Sequence, residues 1–175
     1  MPSRWRVRIG FVVAGLALWL ACPTPVSLAA GGALAWAGEA IRLWASGHIE
    51  KTRALATGGP YAHTQNPLYL GSLLIATGMA LASASLWAAL LVAGYALAFY
   101  PSLLREEASF LRRKFGDAYE AWVAAVPVFL PRPRPSGPRG TRFAWPRVSS
   151  NREWQAVLGL AAALVALWAR GRFRG

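Results

Sequence analysis

A chain of 175 residues, 55% of them hydrophobic, with 19 Lys or Arg against 7 Asp or Glu and a formal charge of +12, has the length of a single domain. Its apolar residues come in long runs instead of alternating or sparse helical patterns, which excludes an ordinary water-soluble domain and predicts a membrane protein. The basic residues lie mainly between the runs, where anionic lipid head groups are a simpler partner than nucleic acid. The single cysteine, Cys22, excludes an intrachain disulfide and a cysteine-based zinc site, and its place in an apolar run predicts a buried, inert thiol.

The first run, from about Ile9 to Ala21, follows Trp5, Arg4, Arg6 and Arg8 and is stopped by Pro23 and Pro25. Thirteen helical residues rise only about 20 Å, so this helix is expected to extend into its basic flank. The amino-terminal residues resemble a signal peptide, but the next run begins almost at once, and retention as a membrane helix is expected. The second run covers about Val26 to Trp44, with Glu39 and Arg42 three residues apart on one face and able to pair near the interface. Residues 45–66 are polar. Pro67 to about Ala84 and Leu86 to Leu104 form the third and fourth runs, separated only by small residues, which predicts a tight helical hairpin. Gly71, Gly78 and Gly94 in that hairpin would permit close helix approach.

From Arg105 to Trp122 the pattern changes. Leu104, Ala108, Leu111 and Phe115 share one face of a charged segment, as in an amphipathic helix at the membrane surface. Gly116 suits a helix end, Asp117 could cap the next short helix, and Pro127 and Pro131 close that segment. The stretch from Pro131 to Pro146 is rich in Pro, Gly and Arg and is predicted to be irregular. The last run, Trp154 to Trp168, is borderline for a span. With the amino terminus in the cytoplasm, 16 of the 19 basic residues fall inside, in accord with the positive-inside rule.

Two blocks stand out. The first is Gly58-Gly59-Pro60-Tyr61-Ala62-His63-Thr64-Gln65-Asn66-Pro67-Leu68-Tyr69-Leu70-Gly71, a polar loop that feeds the third apolar helix, with Asn66 as N-cap and Pro67 at its first position. The free N–H groups of such an end favour a negatively charged ligand group. The second is Arg105-Glu106-Glu107, followed by Phe115-Gly116-Asp117-Ala118-Tyr119 and Val126-Pro127-Val128-Phe129-Leu130-Pro131. The predicted topology puts both blocks at the cytoplasmic ends of the third and fourth helices.

Together, over about residues 50–131, these blocks resemble the isoprenylcysteine carboxyl methyltransferase family and its phospholipid-methylating relatives, integral-membrane enzymes that use S-adenosylmethionine. The resemblance implies an all-α polytopic membrane protein with about four to five transmembrane helices plus cytoplasmic amphipathic helices. Its parts would be two amino-terminal transmembrane helices over 1–48, a methyltransferase-like core over 49–131, a basic Pro/Gly-rich segment over 132–152 and a carboxy-terminal apolar helix over 153–175. It also implies an S-adenosylmethionine site drawn from Arg53, Ala54, Leu55, Ala56, Tyr61, Gln65, Asn66, Pro67, Leu68, Tyr69, Glu106 and Glu107. Glu107 is the better placed acid, judged by its distance from Phe115-Gly116, and Arg105 is the candidate for holding the acceptor.

Methyl transfer by in-line displacement needs placement and exclusion of water more than acid–base groups. The chain departs from the family pattern at Gln65-Asn66, where Arg-His is usual, and at Leu103, where the prenylcysteine enzymes carry an arginine for the substrate carboxylate. The acceptor is therefore left open as a lipophilic or membrane-embedded small molecule or lipid, with membrane lipids and not nucleic acid as partners. His48 and His63 have no carboxylate at ligand spacing, and no metal site is predicted. Localisation is expected in a bacterial inner membrane, multi-pass, with the site facing the cytoplasm. Two other readings remain: an NADPH-dependent reductase of the sterol-reductase type, and a non-catalytic scaffold of the same fold.

Overall fold

The computed structural model describes residues 3–50, 54–136 and 140–174, and every regular element among them is helical. Seven α-helices follow in order: α1 (Ser3–Leu20), α2 (Pro25–Ser46), α3 (Pro67–Ser83), α4 (Leu86–Phe115), α5 (Asp117–Ala125), α6 (Trp145–Ser150) and α7 (Trp154–Arg174), with a short 3-10 turn at Gly59–Ala62. The chain forms two compact units. One comprises Met1–Ala37, Leu73–Leu104 and Leu158–Gly175; the other comprises Gly38–Ser72 and Arg105–Val157.

The first unit is built on small residues. Ala21 and Ala82 are wholly buried with Leu167, and Leu18, Leu28, Met79 and Leu164 pack around them. A Cβ at Gly78 would stand 2.5 Å from the Gly31 carbonyl oxygen and 2.6 Å from the Ala35 nitrogen, so α2 and α3 touch backbone to backbone. Gly94, by contrast, has nothing within 4 Å of its would-be Cβ. Pro23 and Pro25 end α1 at Leu20, and the connection is tied by Cys22 N–H to the Ser83 carbonyl (2.8 Å) and by Arg170 to the carbonyls of Ala21 and Trp19. Cys22 falls in this connection and not in a helix, so its side chain is exposed instead of buried as predicted.

Large apolar side chains point outward on this unit: Phe11, Val12, Leu86, Trp87 and Leu97 are all more than half exposed. Such a surface is what hydrocarbon solvates. Among the described residues, α4 and the Trp154–Phe173 stretch of α7 are long and apolar enough to cross a membrane, and Pro67–Ser83 is a shorter apolar helix. Helix α7 is six residues longer than its apolar run, because Ala169 to Arg174 continue the helix beyond the last large apolar residue of that run.

Helix α4 runs through Pro101 to Phe115 without a break, joining what read as two segments, and belongs to the second unit from Arg105 onward. Gly116, at φ +48°, terminates it in a backbone conformation that residues with a Cβ seldom adopt. Gly116 also occupies the N-cap position of α5, so Asp117 is the first helical residue and its charge lies in the first turn, where the helix dipole favours it. Tyr119, Trp122 and Val126, three and four residues apart, form the buried face of α5 and its exit. Helix α6 lies inside the basic segment, begun by Pro146 in its first turn.

Candidate functional site

The site is assembled in the second unit around the 3-10 turn. Gly59 has φ +57°, and any Cβ there would overlap the buried ring of His48, which packs directly behind the turn. Pro60 starts the turn, and Tyr61 is delivered into a core of Ala45, Tyr119, Trp122 and Val126. Leu55, Ala56 and Leu68 pack against that core from the loop side. From α4, Ala108, Leu111 and Phe115 pack against it, on the face expected from their spacing.

The loop before α3 is laced to the exit of α5. Trp122 Nε1–H donates to the Tyr61 carbonyl at 3.1 Å. Thr64 Oγ1–H lies 3.0 Å from the Phe129 carbonyl and 3.2 Å from that of Val128. The Gln65 side-chain amide donates to the carbonyls of Val126 (2.6 Å) and Val123 (3.2 Å), and its backbone N–H donates to that of Pro127 (2.8 Å). Asn66 Nδ2 donates to the Val128 carbonyl at 2.9 Å. His63 Nδ1–H donates to the Arg132 carbonyl at 2.6 Å, and Arg132 N–H returns a bond to the His63 carbonyl. The two sequence blocks are thus one hydrogen-bonded piece. At the two positions that depart from the family pattern, the side-chain amides hold this piece together.

The Tyr61 phenol is held above the ordinary tyrosine range, first by burial and then by the negative charges of Glu107 and Glu153, with Arg42 opposing. It therefore remains a neutral ring and hydroxyl donor. The Tyr119 phenol is raised for the same first reason, burial, with Arg112 opposing and Glu120 and Glu107 adding to it. Arg112 lies 2.5 Å from Glu120 and over the Tyr119 ring, so the end of α4 grips α5 from the solvent side.

Of the twelve positions anticipated for a methyl donor, Leu55, Ala56, Tyr61 and Leu68 share this core, and Glu107 acts on it through its charge. Pro67 is buried at the start of α3, near Tyr69, which adds a small effect of its own on the Tyr61 phenol. Gln65 and Asn66 form the seam to α5, and Ala54 is partly exposed in the bend that enters the loop. Arg105, Glu106 and Glu107 are all exposed on α4. Arg53 lies outside the described residues.

Sequence reasoning missed one part. Arg42 lies 3.6 Å from the completely buried Glu39, as their spacing anticipates, but it also contacts Glu153 at 2.5 Å and Ser72 Oγ at 2.5 Å. Two buried carboxylates therefore share one guanidinium. Both oxygens of Glu39, Oε1 of Glu153 and Nε of Arg42 are buried without a hydrogen-bond partner among the described residues. The signal available was Arg152-Glu153 just before the last apolar run, a charged pair with no local use. Among the described residues no three His, Cys, Asp or Glu side chains stand together as a metal site.

Two curated relatives are similar to this chain. The cobalt-zinc-cadmium resistance protein CzcN of Cupriavidus metallidurans is 34% identical over 140 residues, covering 73% of this chain and 62% of that protein. The nickel-cobalt-cadmium resistance protein NccN of Alcaligenes xylosoxydans xylosoxydans is 33% identical over 94 residues, covering 52% and 43%. The chain thus spans less than two thirds of the length of either relative. No solved structure matches it. The phospholipid methyltransferase family matches residues 5–118, a stretch that takes in the tyrosine loop and the acid pair of α4. This chain belongs to the phospholipid methyltransferase family.

Proposed function

We propose that the protein is a multi-pass membrane methyltransferase, isoprenylcysteine carboxyl methyltransferase-like, that takes its methyl group from S-adenosylmethionine and passes it to a lipophilic or membrane-embedded acceptor. The observation that carries the reading is the meeting of the tyrosine loop with the acid-bearing end of α4 on one core, where the charge of Glu107 acts on the Tyr61 phenol. Family membership supports it.

The donor presents a cationic sulfonium and ammonium, a carboxylate and an aromatic base. The residues present have the matching chemistry. Carboxylates at Glu107 and Glu106 suit positive centres; the amino-terminal end of α3 at Pro67–Tyr69 suits a carboxylate. Leu55, Ala56, Leu68 and the rings of Tyr61 and Tyr69 suit the base. Arg53 and Ala54 would extend this wall, and Arg105 would hold the acceptor. When bound, the donor supplies an activated methyl group that leaves its sulfur in a single displacement. The chain's part is to hold and align the two reactants and keep water away, which the apolar core around Tyr61 favours. A neutral Tyr61 offers a hydroxyl donor and no phenolate to compete for the methyl group.

In this reading α1, α2 and α3 cross the bilayer along with α4 and α7, in a bacterial inner membrane with the loop facing the cytoplasm. Isothermal titration of the full chain in detergent tests it. Saturable binding of S-adenosylhomocysteine without binding of NADPH is the expected result. Binding of NADPH alone would replace the reading with a reductase, and binding of neither would replace it with a scaffold. The relatives' names, both including cobalt and cadmium resistance, extend the proposal to physiology: deletion of the gene is expected to lower tolerance to those two metals.

A further inference from the structure

The carboxy-terminal end of α2 is completed by a segment almost a hundred residues away. The last carbonyls of a helix have no partner within it and must find one elsewhere. Here the carbonyls of Ser46, Gly47, His48 and Ile49 each receive a donor from residues 141–151. Asn151 Nδ2 donates to those of Ser46 (2.9 Å) and Ile49 (3.2 Å), Ala144 N–H to that of Gly47 (3.0 Å) and Thr141 Oγ1–H to that of His48 (2.5 Å). Two ion pairs add to these ties, Arg147 with Glu50 and Glu153 with Arg42. Asn151 N–H itself donates to the Arg147 carbonyl at 2.8 Å, so α6 fixes the amide that caps α2.

What this strap holds is the rear of the tyrosine loop. His48 is buried; its Nδ1–H donates to the Trp44 carbonyl at 2.9 Å, and Phe143 of the strap meets its ring edge-on at 5.8 Å. That ring fills the space a Cβ would need at Gly59, with Nε2 only 2.3 Å from where the Cβ would stand. The strap also touches the loop directly. A Cβ at Gly140 would stand 2.1 Å from the Gly58 nitrogen, and one at Gly58 would stand 2.5 Å from the Thr141 carbonyl oxygen, so backbone lies on backbone. All of this lies beyond the stretch of 5–118 that the family matches. We infer that Asn151 and Thr141 are positioning residues of the donor site: by completing the end of α2 they keep the His48 ring behind Gly59, and so set where the Tyr61 turn stands. The inference rests on the reading of that turn as part of the donor site, and it assigns to the strap a part in donor affinity without contact with the donor.

Titration of S-adenosylhomocysteine into the full chain in detergent, with hydrogen exchange followed over residues 57–65, tests it. Asn151→Asp keeps the shape of the side chain but turns an acceptor on the two carbonyls. It should lower the affinity about tenfold. It should also quicken exchange of the Tyr61 and His63 amides, whose bonds to the Gly58 and Pro60 carbonyls hold the turn. Thr141→Val, of the same shape and without the donor, should act in the same direction, and it carries the test if Asn151→Asp does not fold. Gly78→Ala, in the first unit, is the control for lost stability alone: at an equal interval below its unfolding midpoint it should leave the affinity within about twofold and the exchange of the turn unchanged. Affinity and exchange unmoved in both strap variants, or moved as far by Gly78→Ala, would overturn the inference. Should the parent not bind S-adenosylhomocysteine, the functional reading falls, and exchange of the turn alone decides whether the strap sets its position.

Discussion

Trp122 donates its indole N–H to the carbonyl of Tyr61, a buried bond that joins α5 to the loop preceding α3. Trp122→Phe keeps most of the ring but strands that carbonyl, which costs about 1–3 kcal/mol. Thermal unfolding in detergent should show a clear drop in midpoint. Trp168→Phe, at a residue 55% exposed, should move it little. Equal midpoints for the two variants would mean that the Tyr61 carbonyl has another donor.

Glu107→Gln removes the charge that acts most on the Tyr61 phenol without changing the side chain's shape. The affinity for S-adenosylhomocysteine is expected to fall about tenfold, or about 1.4 kcal/mol. An unchanged titration removes Glu107 from the site. Asn66→His keeps a ring N–H for the Val128 carbonyl, so the variant should fold and bind at least as well as the parent. Failure to fold would show that the seam to α5 does not accept a ring.

Arg42→Met leaves Glu39 and Glu153 buried around no cation. Breaking a buried pair in this way costs about 3–5 kcal/mol. Adding Glu39→Gln should recover a substantial part, since one of the two stranded charges is then gone. Denaturant unfolding of the single and double variants checks the order; a double variant no more stable than the single would assign Arg42 a packing role only.

Gly78→Ala and Gly94→Ala differ only in surroundings. At Gly78 the new methyl meets the backbone of α2, which cannot yield without parting the helices, and overpacking of that kind costs about 1–3 kcal/mol. At Gly94 it meets nothing, and the gain in helix propensity of up to about 1 kcal/mol should appear. Opposite shifts in unfolding midpoint are expected, and shifts of the same sign would refute the α2–α3 contact.

The tyrosines set an alkaline limit. For Tyr61 and Tyr119 the folded state favours the neutral phenol. Their contribution to stability is therefore complete below the ordinary tyrosine value of about 10 and declines as the pH rises past it. Of the five tyrosines, these two should develop phenolate absorbance only together with unfolding. Smooth titration of all five in the folded protein would contradict their burial.

The helices themselves were legible because apolar runs and proline stops are local: α2 and α3 begin and end within two residues of their predicted limits. The face of α4 that meets the core followed from the spacing of Ala108, Leu111 and Phe115 alone. The pairing of Arg42 with Glu153 was not legible, because a local partner, Glu39, already satisfied the pattern and the second acid comes from the start of α7. Nor was the role of Gln65 and Asn66 as a seam, because a side-chain amide bonding to a distant backbone leaves no periodicity to read. Cys22 misled for a simple reason: an apolar run continues past the point where two prolines stop its helix.

Gly59 and His48 impose an asymmetry on how this protein can be redesigned. The histidine ring wedges the turn from the rear, and the turn tolerates no side chain at the glycine. Its position is set independently of whatever occupies the opposite side. Engineers seeking to accept an altered methyl donor can therefore vary Leu55, Leu68 and Tyr69 over a rigid support, whereas a single methyl group added at position 59 would collide with the His48 ring.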